Sequence, residues 1–203
     1  MKNTRFAFLE ERCQATFGGE KGSELFQSTD DIYHELMSNA DDRGNEAIRW
    51  HITHSIYPVM AYYMALRKAG YEKDQALEYV RKITHEAAEK GKEQNEKLAG
   101  MPLTYLMYRL AIKSVMNKNF PAEGWDIEWI RNDAQEIHLD MKRCIYDELT
   151  RQHGCPELCC VYCENDDITF AGLMPKIRFE RSGTIGKGFE RCDFHFINNK
   201  KVR

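Results

Sequence analysis

The sequence predicts an α+β fold, a helical N-terminal half packed on a four-stranded antiparallel sheet made of two hairpins with a helical insert. Two observations carry that expectation. Apolar residues recur every three to four positions from Thr4 to about Asn117, and after Pro121 and Gly124 the period falls to two. The switch places a helical portion at residues 1–120 and the sheet with its insert at 121–203, the two forming one integrated domain.

Phe6, Leu9 and Cys13 mark the first helix, ended by Gly18-Gly19, and Leu25, Ile32, Tyr33 and Leu36 mark a second that stops between Asn39 and Gly44. A third runs from about Asn45 to Lys68 behind a broad apolar face. Its Pro58 lacks a backbone donor and crowds the preceding turn, so a kink is expected near His54. Gly70 closes it, and Tyr71 to Asp74 opens a helix with a narrow seam of Ala76, Leu77, Val80, Ile83 and Ala87 and a charged, solvated continuation from Glu89 to Lys97. After the breaker Gly100-Met101-Pro102, a helix from Leu103 to Asn117 carries Leu106, Met107 and Leu110 as its apolar residues.

In the second half Trp125, Ile127 and Trp129 alternate with acidic residues, Asn132-Asp133 turns the chain, and Ile137, Leu139 and Met141 alternate back. Cys144 to Gln152 reads as a helix ended by Gly154, and Pro156 opens another short one with Glu157 in its first turn and Asp166-Asp167 at its end or in the next loop. Ile177, Phe179 and Arg181, then Cys192, Phe194 and Phe196, form a second hairpin around a wide glycine-rich turn, Ser182 to Gly188. That turn lacks the spacing of a phosphate loop.

The chain has 203 residues, 29 Lys plus Arg against 32 Asp plus Glu, and is 42% apolar, which excludes disordered and fibrous classes. Near-balanced charge with no basic block argues against nucleic acid or an anionic membrane and for a small-molecule partner. Glu10, Glu11 and Arg12 interrupt any signal-like segment, and the longest apolar run, Tyr57 to Leu66, is too short to span a bilayer. A cytoplasmic protein is expected, with a homo-oligomer possible. Its seven cysteines would then be reduced thiols, and an odd number cannot pair off completely.

Four of those cysteines, Cys155, Cys159, Cys160 and Cys163, fall within nine residues. A zinc site would need Cys144, His153, Cys192 or His195 as further ligands, and neither a second C-x-x-C nor a paired-histidine motif is present. A thioredoxin-like pair would need a strand before it. Neither a metal nor another cofactor is therefore expected. Cys13, Cys144, Cys155, Cys159 and Cys160 taken singly read as small buried apolar residues. Cys163, followed by Glu164, Asp166 and Asp167, would need Arg181, a histidine or a helix terminus to become a nucleophile. Arg181 itself needs an anion, either an internal carboxylate or a ligand's. His51 and His54, three apart on the kinked helix, read as core-edge and surface residues before base or ligand.

Five segments in order, around Cys144-Ile145-Tyr146, Gly154-Cys155-Pro156-Glu157-Leu158, Cys163-Glu164-Asn165-Asp166, Phe179 to Ile185 and Gly188 to Phe194, resemble the L-2-amino-thiazoline-4-carboxylic acid hydrolase family. His51 to Pro58 and Ala65 to Gly70 resemble its helical part, so the likeness covers roughly residues 45 to 197. The chain departs from the family at His195, where many relatives carry arginine. The resemblance implies hydrolytic opening of a cyclic amidine to N-carbamoyl-cysteine. It implies Cys163, Asp166, Cys192 and Asp193 as catalytic candidates, and Glu157, Arg181, Thr184 and His54 as substrate-binding candidates. The glycine followed by Cys192-Asp193-Phe194 is also similar to small-ligand-binding domains of the 4-vinyl-reductase type, which implies a sensing module without catalysis.

Overall fold

The computed structural model describes residues 1–199. The order is α1 (Leu9–Phe17), α2 (Gly19–Ser38), α3 (Glu46–His51), a π-helical turn (Ile52–Ile56), α4 (Tyr57–Lys68), α5 (Lys73–Ala99), α6 (Thr104–Asn119), β1 (Trp125–Asn132), β2 (Glu136–Cys144), α7 (Ile145–Gln152), α8 (Leu158–Ala171), β3 (Ile177–Glu180), a 3-10 turn (Ile185–Lys187) and β4 (Cys192–Asn198). The α+β expectation is met. The chain divides into two compact units, Met1–Ala87 and the part from Ala88 onward. The division lies inside α5, so the rest of that helix and α6 go with the sheet.

In the first unit, Asn45 accepts from the Ala47 and Ile48 amides and starts α3, as Asn does at an N-cap. The kink expected near His54 is a five-residue π turn, which widens the helix just before Pro58 and lets the proline sit in the first turn of α4. Nine of the 12 residues of α4 are buried, so the apolar run from Tyr57 is the centre of a core. Gly70, at φ +90°, ends the helix in a conformation that suits glycine, and the Tyr71 amide returns to Leu66 O. Among the described residues no helix is long and apolar enough to cross a membrane.

The second unit is the sheet with its helices. All four strands pair antiparallel in the order β1-β2-β4-β3, so the two hairpins meet through their second strands. Ile137, Leu139 and Met141 of β2 and Cys192, Phe194 and Phe196 of β4 face the core. Phe170 of α8 packs tilted against Phe179 and edge-on against Phe196, at 4.8 and 5.0 Å between ring centroids, and Tyr108 of α6 meets Phe196 at 5.3 Å. The other face is polar. It carries Glu136, His138 and Asp140 beside Asp193 and His195.

Several local expectations change. Cys144 ends β2 and precedes α7 instead of starting that helix. Its helix does end as expected: Gly154 takes φ +71° and the Cys155 amide bonds Thr150 O at 2.8 Å. The "short" helix after Pro156 runs 14 residues, and Asp166 and Asp167 sit inside it, because Ile168, Thr169 and Phe170 continue its packing against α5 and the sheet. Arg181 falls just past the end of β3. On α6 the buried residues are Thr104, Tyr105 and Ile112, whereas Leu106, Met107 and Leu110 are exposed, Leu110 at 71%. The helix is rotated so that Tyr105 can donate to Asp133 O and Tyr108 can reach Phe196.

The link between β3 and β4 lies directly on α8. A Cβ at Gly186 would stand 2.7 Å from the Cys160 amide nitrogen and 2.8 Å from the Cys159 carbonyl carbon, so only glycine permits this approach. Gly186→Ala must push the loop off α8. The expected cost is about 1–3 kcal/mol, as for overpacking, read as a melting temperature lower by roughly 2–10 °C for a chain of this size. Gly19→Ala, where a Cβ meets nothing within 4 Å, should leave the melting temperature unchanged or slightly raised.

Candidate functional site

Helical spacing sets the first half of the site. Cys159 and Cys163 are one turn apart on α8, and Asp166 follows three residues later on the same face. The second half comes from the β3–β4 connection, which brings Arg181, Ser182, Thr184 and, at the first position of β4, Cys192 against that face.

Cys163 is the focus. Its thiol is shifted strongly toward thiolate: the Cys159 thiol donates to it, then the Cys192 thiol, and the Thr184 hydroxyl and the Arg181 charge add to the effect, together outweighing desolvation. Cys159 and Cys192 are correspondingly held as neutral thiols, first by those hydrogen bonds to Cys163 and then by burial. The Ile185 amide bonds Cys192 Sγ at 3.2 Å and fixes that donor. Thr184 is 1% exposed, and its Oγ1 has no well-formed hydrogen bond, so a donor is buried beside the thiolate with capacity to spare. Cys144, at the end of β2, is pushed up to about 12 by burial, with the nearby Cys163 adding to the push.

Arg181 supplies the cation. Its guanidinium, only 7% exposed, bonds Asp166 Oδ2 at 3.2 Å, Asp167 Oδ2 at 2.7 Å and the Cys163 carbonyl. It also lies 5.6 Å from the Phe179 ring centroid and 5.8 Å from that of Phe194. The anion that the sequence demands for Arg181 is therefore an internal carboxylate pair. Asp166 is pushed up to about 7, first by burial, then by the Cys163 thiolate and Asp167, against the pull of Arg181. Its side chain is 39% exposed, so solvent tempers the push from burial.

Asp193 does different work. Its carboxylate accepts from the Ser182 amide at 2.9 Å, the Ser182 hydroxyl at 2.7 Å and the Gly183 amide at 3.0 Å. Burial pushes it up, but these bonds prevail and carry it down to about 2. It pins the loop that carries Thr184. Glu157 occupies the position before α8 and is half-buried, and the thiol of Cys160 donates to its carbonyl at 3.0 Å. His54 belongs to the first unit, on the π turn, its ring 5.3 Å from that of Trp50.

Of the eight residues singled out from sequence, Cys163, Asp166, Cys192, Arg181 and Thr184 converge, and Asp193 supports them from behind. Cys159 is buried, as its reading as a packing residue expects, and one turn before Cys163 it is also the first cause of that residue's shift toward thiolate; the i, i+4 spacing of the two is the available signal. Asp167, taken as a loop or capping acid, is the outer partner of Arg181. A close cluster of possible metal ligands among the described residues comprises Glu136, His138 and His195, on the polar face of the sheet.

The sequence model of the L-2-amino-thiazoline-4-carboxylic acid hydrolase family matches residues 49–196. Among curated proteins no relative matches significantly. A solved structure described as "Probing the function of heme distortion in the H-NOX family" aligns over 100% of this chain and 97% of that one, at 13% identity and a TM-score of 0.37, a likeness too slight to carry an argument. The family match takes in the π turn, α7, α8 and the β3–β4 hairpin that builds the cysteine cluster, and the chain belongs to the L-2-amino-thiazoline-4-carboxylic acid hydrolase family.

Proposed function

We propose that the protein opens a cyclic amidine such as L-2-amino-thiazoline-4-carboxylate to N-carbamoyl-cysteine, with Cys163 as nucleophile and Asp166 as proton donor. The observation that carries this reading is the convergence of Cys159, Cys163 and Asp166 on one face of α8 with the buried Arg181, Thr184 and Cys192, a setting that shifts Cys163 toward thiolate and raises Asp166. A thiolate and a neutral acid side by side are what the reaction consumes.

In the first step Cys163 Sγ bonds to the ring carbon between sulfur and nitrogen, and the carbon–nitrogen π pair moves to nitrogen. Collapse breaks the carbon–sulfur ring bond, and the departing thiolate takes a proton from Asp166. The enzyme then carries an isothiourea on Cys163. Water adds to the same carbon, giving a proton back to Asp166, and the Cys163 thiolate leaves. The water oxygen becomes the ureido carbonyl, and its two hydrogens end on nitrogen and on the new thiol. Cys159, Cys192 and Thr184 stabilise Cys163 each time it is the anion.

Arg181 acts in this scheme as a positioning residue that holds Asp166 and the Cys163 carbonyl. A substrate carboxylate would have to replace Asp167, whose side chain is 52% exposed, to reach the guanidinium. Glu157, half-buried at the start of α8, remains a candidate for the amidinium.

Release of a thiol from the aminothiazoline carboxylate, followed with a thiol reagent, checks the assignment. Cys163→Ser should lower kcat by at least about 1,000-fold, since an alkoxide is not available where the thiolate was, while Cys13→Ser, buried in the first unit, should keep activity within about two-fold, as a site remote from the chemistry does. Tight binding of the thiazoline with no turnover in the wild type would instead favour the sensing module.

The pH dependence has a definite sign. Cys163 is the thiolate throughout the neutral range, whereas Asp166 donates only when protonated, so kcat should hold below about 7 and fall as pH rises through that value. Asp166→Asn should remove that limb and lower kcat by about 100-fold or more, the usual share of a general acid. An unchanged limb in the variant would exclude Asp166 as the proton donor.

A further inference from the structure

Strand alternation sends one set of β2 and β4 side chains away from the cysteine cluster. On that outer face the register sets His138 opposite His195 and Asp140 opposite Asp193, with Glu136 one step further along β2. The result is two imidazoles and three carboxylates packed across the two central strands. None of this outer group except Asp193, which pins the loop, has a part in the chemistry above.

The two imidazole rings stack at 3.9 Å between centroids and 24° between planes. His195 Nδ1 lies 2.6 Å from Glu136 Oε1, and its Nε2 lies 3.5 Å from Asp193 Oδ2. His138 Nε2 lies 3.1 Å from Asp140 Oδ1. One ligand atom from each of Glu136, His138 and His195 can be chosen so that all lie within 4.8 Å of one another. The three side chains are 19%, 20% and 27% exposed, shielded yet open on one side.

We propose that Glu136, His138 and His195 bind one divalent transition-metal ion of the zinc class. Two imidazoles and one carboxylate are a ligand set that suits such an ion and leaves coordination positions open. The ligating atoms are Glu136 Oε1, His195 Nδ1 and the Nδ1 of His138. Asp193 and Asp140 then hold the remote nitrogen of each imidazole, the outer-shell arrangement that fixes a metal-binding histidine. Charge favours a cation as well: the three carboxylates meet only two guanidinium groups, Arg131 on Glu136 and Arg191 on Asp140, so the carboxylates are in excess by one. A metal ion uses both rings at once.

Zinc titrated into the chelator-treated full-length chain by calorimetry, with cobalt as a spectroscopic substitute, tests this. One ion per chain is expected, with a cobalt spectrum of nitrogen and oxygen ligation free of thiolate charge-transfer bands. His138→Ala and His195→Ala should each weaken binding by about 100-fold or more, larger than the loss of an outer-shell partner. Glu136→Gln, which preserves side-chain shape, should abolish the rise in melting temperature that zinc gives the wild type. That variant decides the matter even where a histidine variant does not fold. No binding, affinity unchanged in these variants, or thiolate bands placing the ion on the cysteines would each overturn the proposal.

Discussion

Strand β4 lies between β2 and β3, and because side chains alternate along it, its pairing register decides which chemistry each face of the sheet receives. Cys192, Phe194 and Phe196 point into the core and Asp193 and His195 point out. A slip of one residue would bury the aspartate and the histidine among phenylalanines and expose the cysteine that donates to Cys163. The aromatic cluster of Phe170, Phe179, Phe194 and Phe196 resists such a slip, since each ring buried instead of exposed is worth about 1.5–3 kcal/mol. The hydrophobic core and the reactive cluster are thus two consequences of one register.

A second constraint follows from Arg181. A guanidinium 7% exposed must be paired, and it takes Asp166, Asp167 and a backbone carbonyl of α8 together. That demand ties the end of β3 to the middle of α8 and draws the connecting loop over the cysteines. Gly186 permits the contact from the loop side and Asp193 holds the loop amides from the strand side. Removing Arg181 would leave two acids facing a thiolate, so its effect on activity would exceed that of a lost hydrogen bond.

Much of this was legible along the chain because it depends on local periodicity. Asn45, Pro58, Gly70 and Gly154 each announce their cap, break or turn through backbone chemistry that neighbours cannot override. The family likeness pointed to eight residues, of which Cys163, Asp166, Arg181, Thr184 and Cys192 come together, with Asp193 behind them. What stayed hidden depends on distant partners. Adjacent acids such as Asp166 and Asp167 favour loops and caps, and only the buried Arg181 explains their place inside a helix. Leu106, Met107 and Leu110 look like a core stripe, but the pull of Tyr105 and Tyr108 toward the sheet turns α6 the other way. His138 and His195 are far apart in sequence and meet only through strand register, so no spacing rule could pair them.

The surplus of thiols has a physical reason within this geometry. A thiolate beside Asp166 and Asp167 is unfavourable unless donors surround it, and a hydroxyl or amide at every donor position would also solvate competing anions. Thiols are weak, soft donors that pack as apolar residues, so Cys159 and Cys192 can complete the core and still favour a charge on Cys163. Asp166 is raised first by burial and further by a negative Cys163, so the two groups influence each other, and Arg181 ties them together by bonding the Asp166 carboxylate and the Cys163 carbonyl.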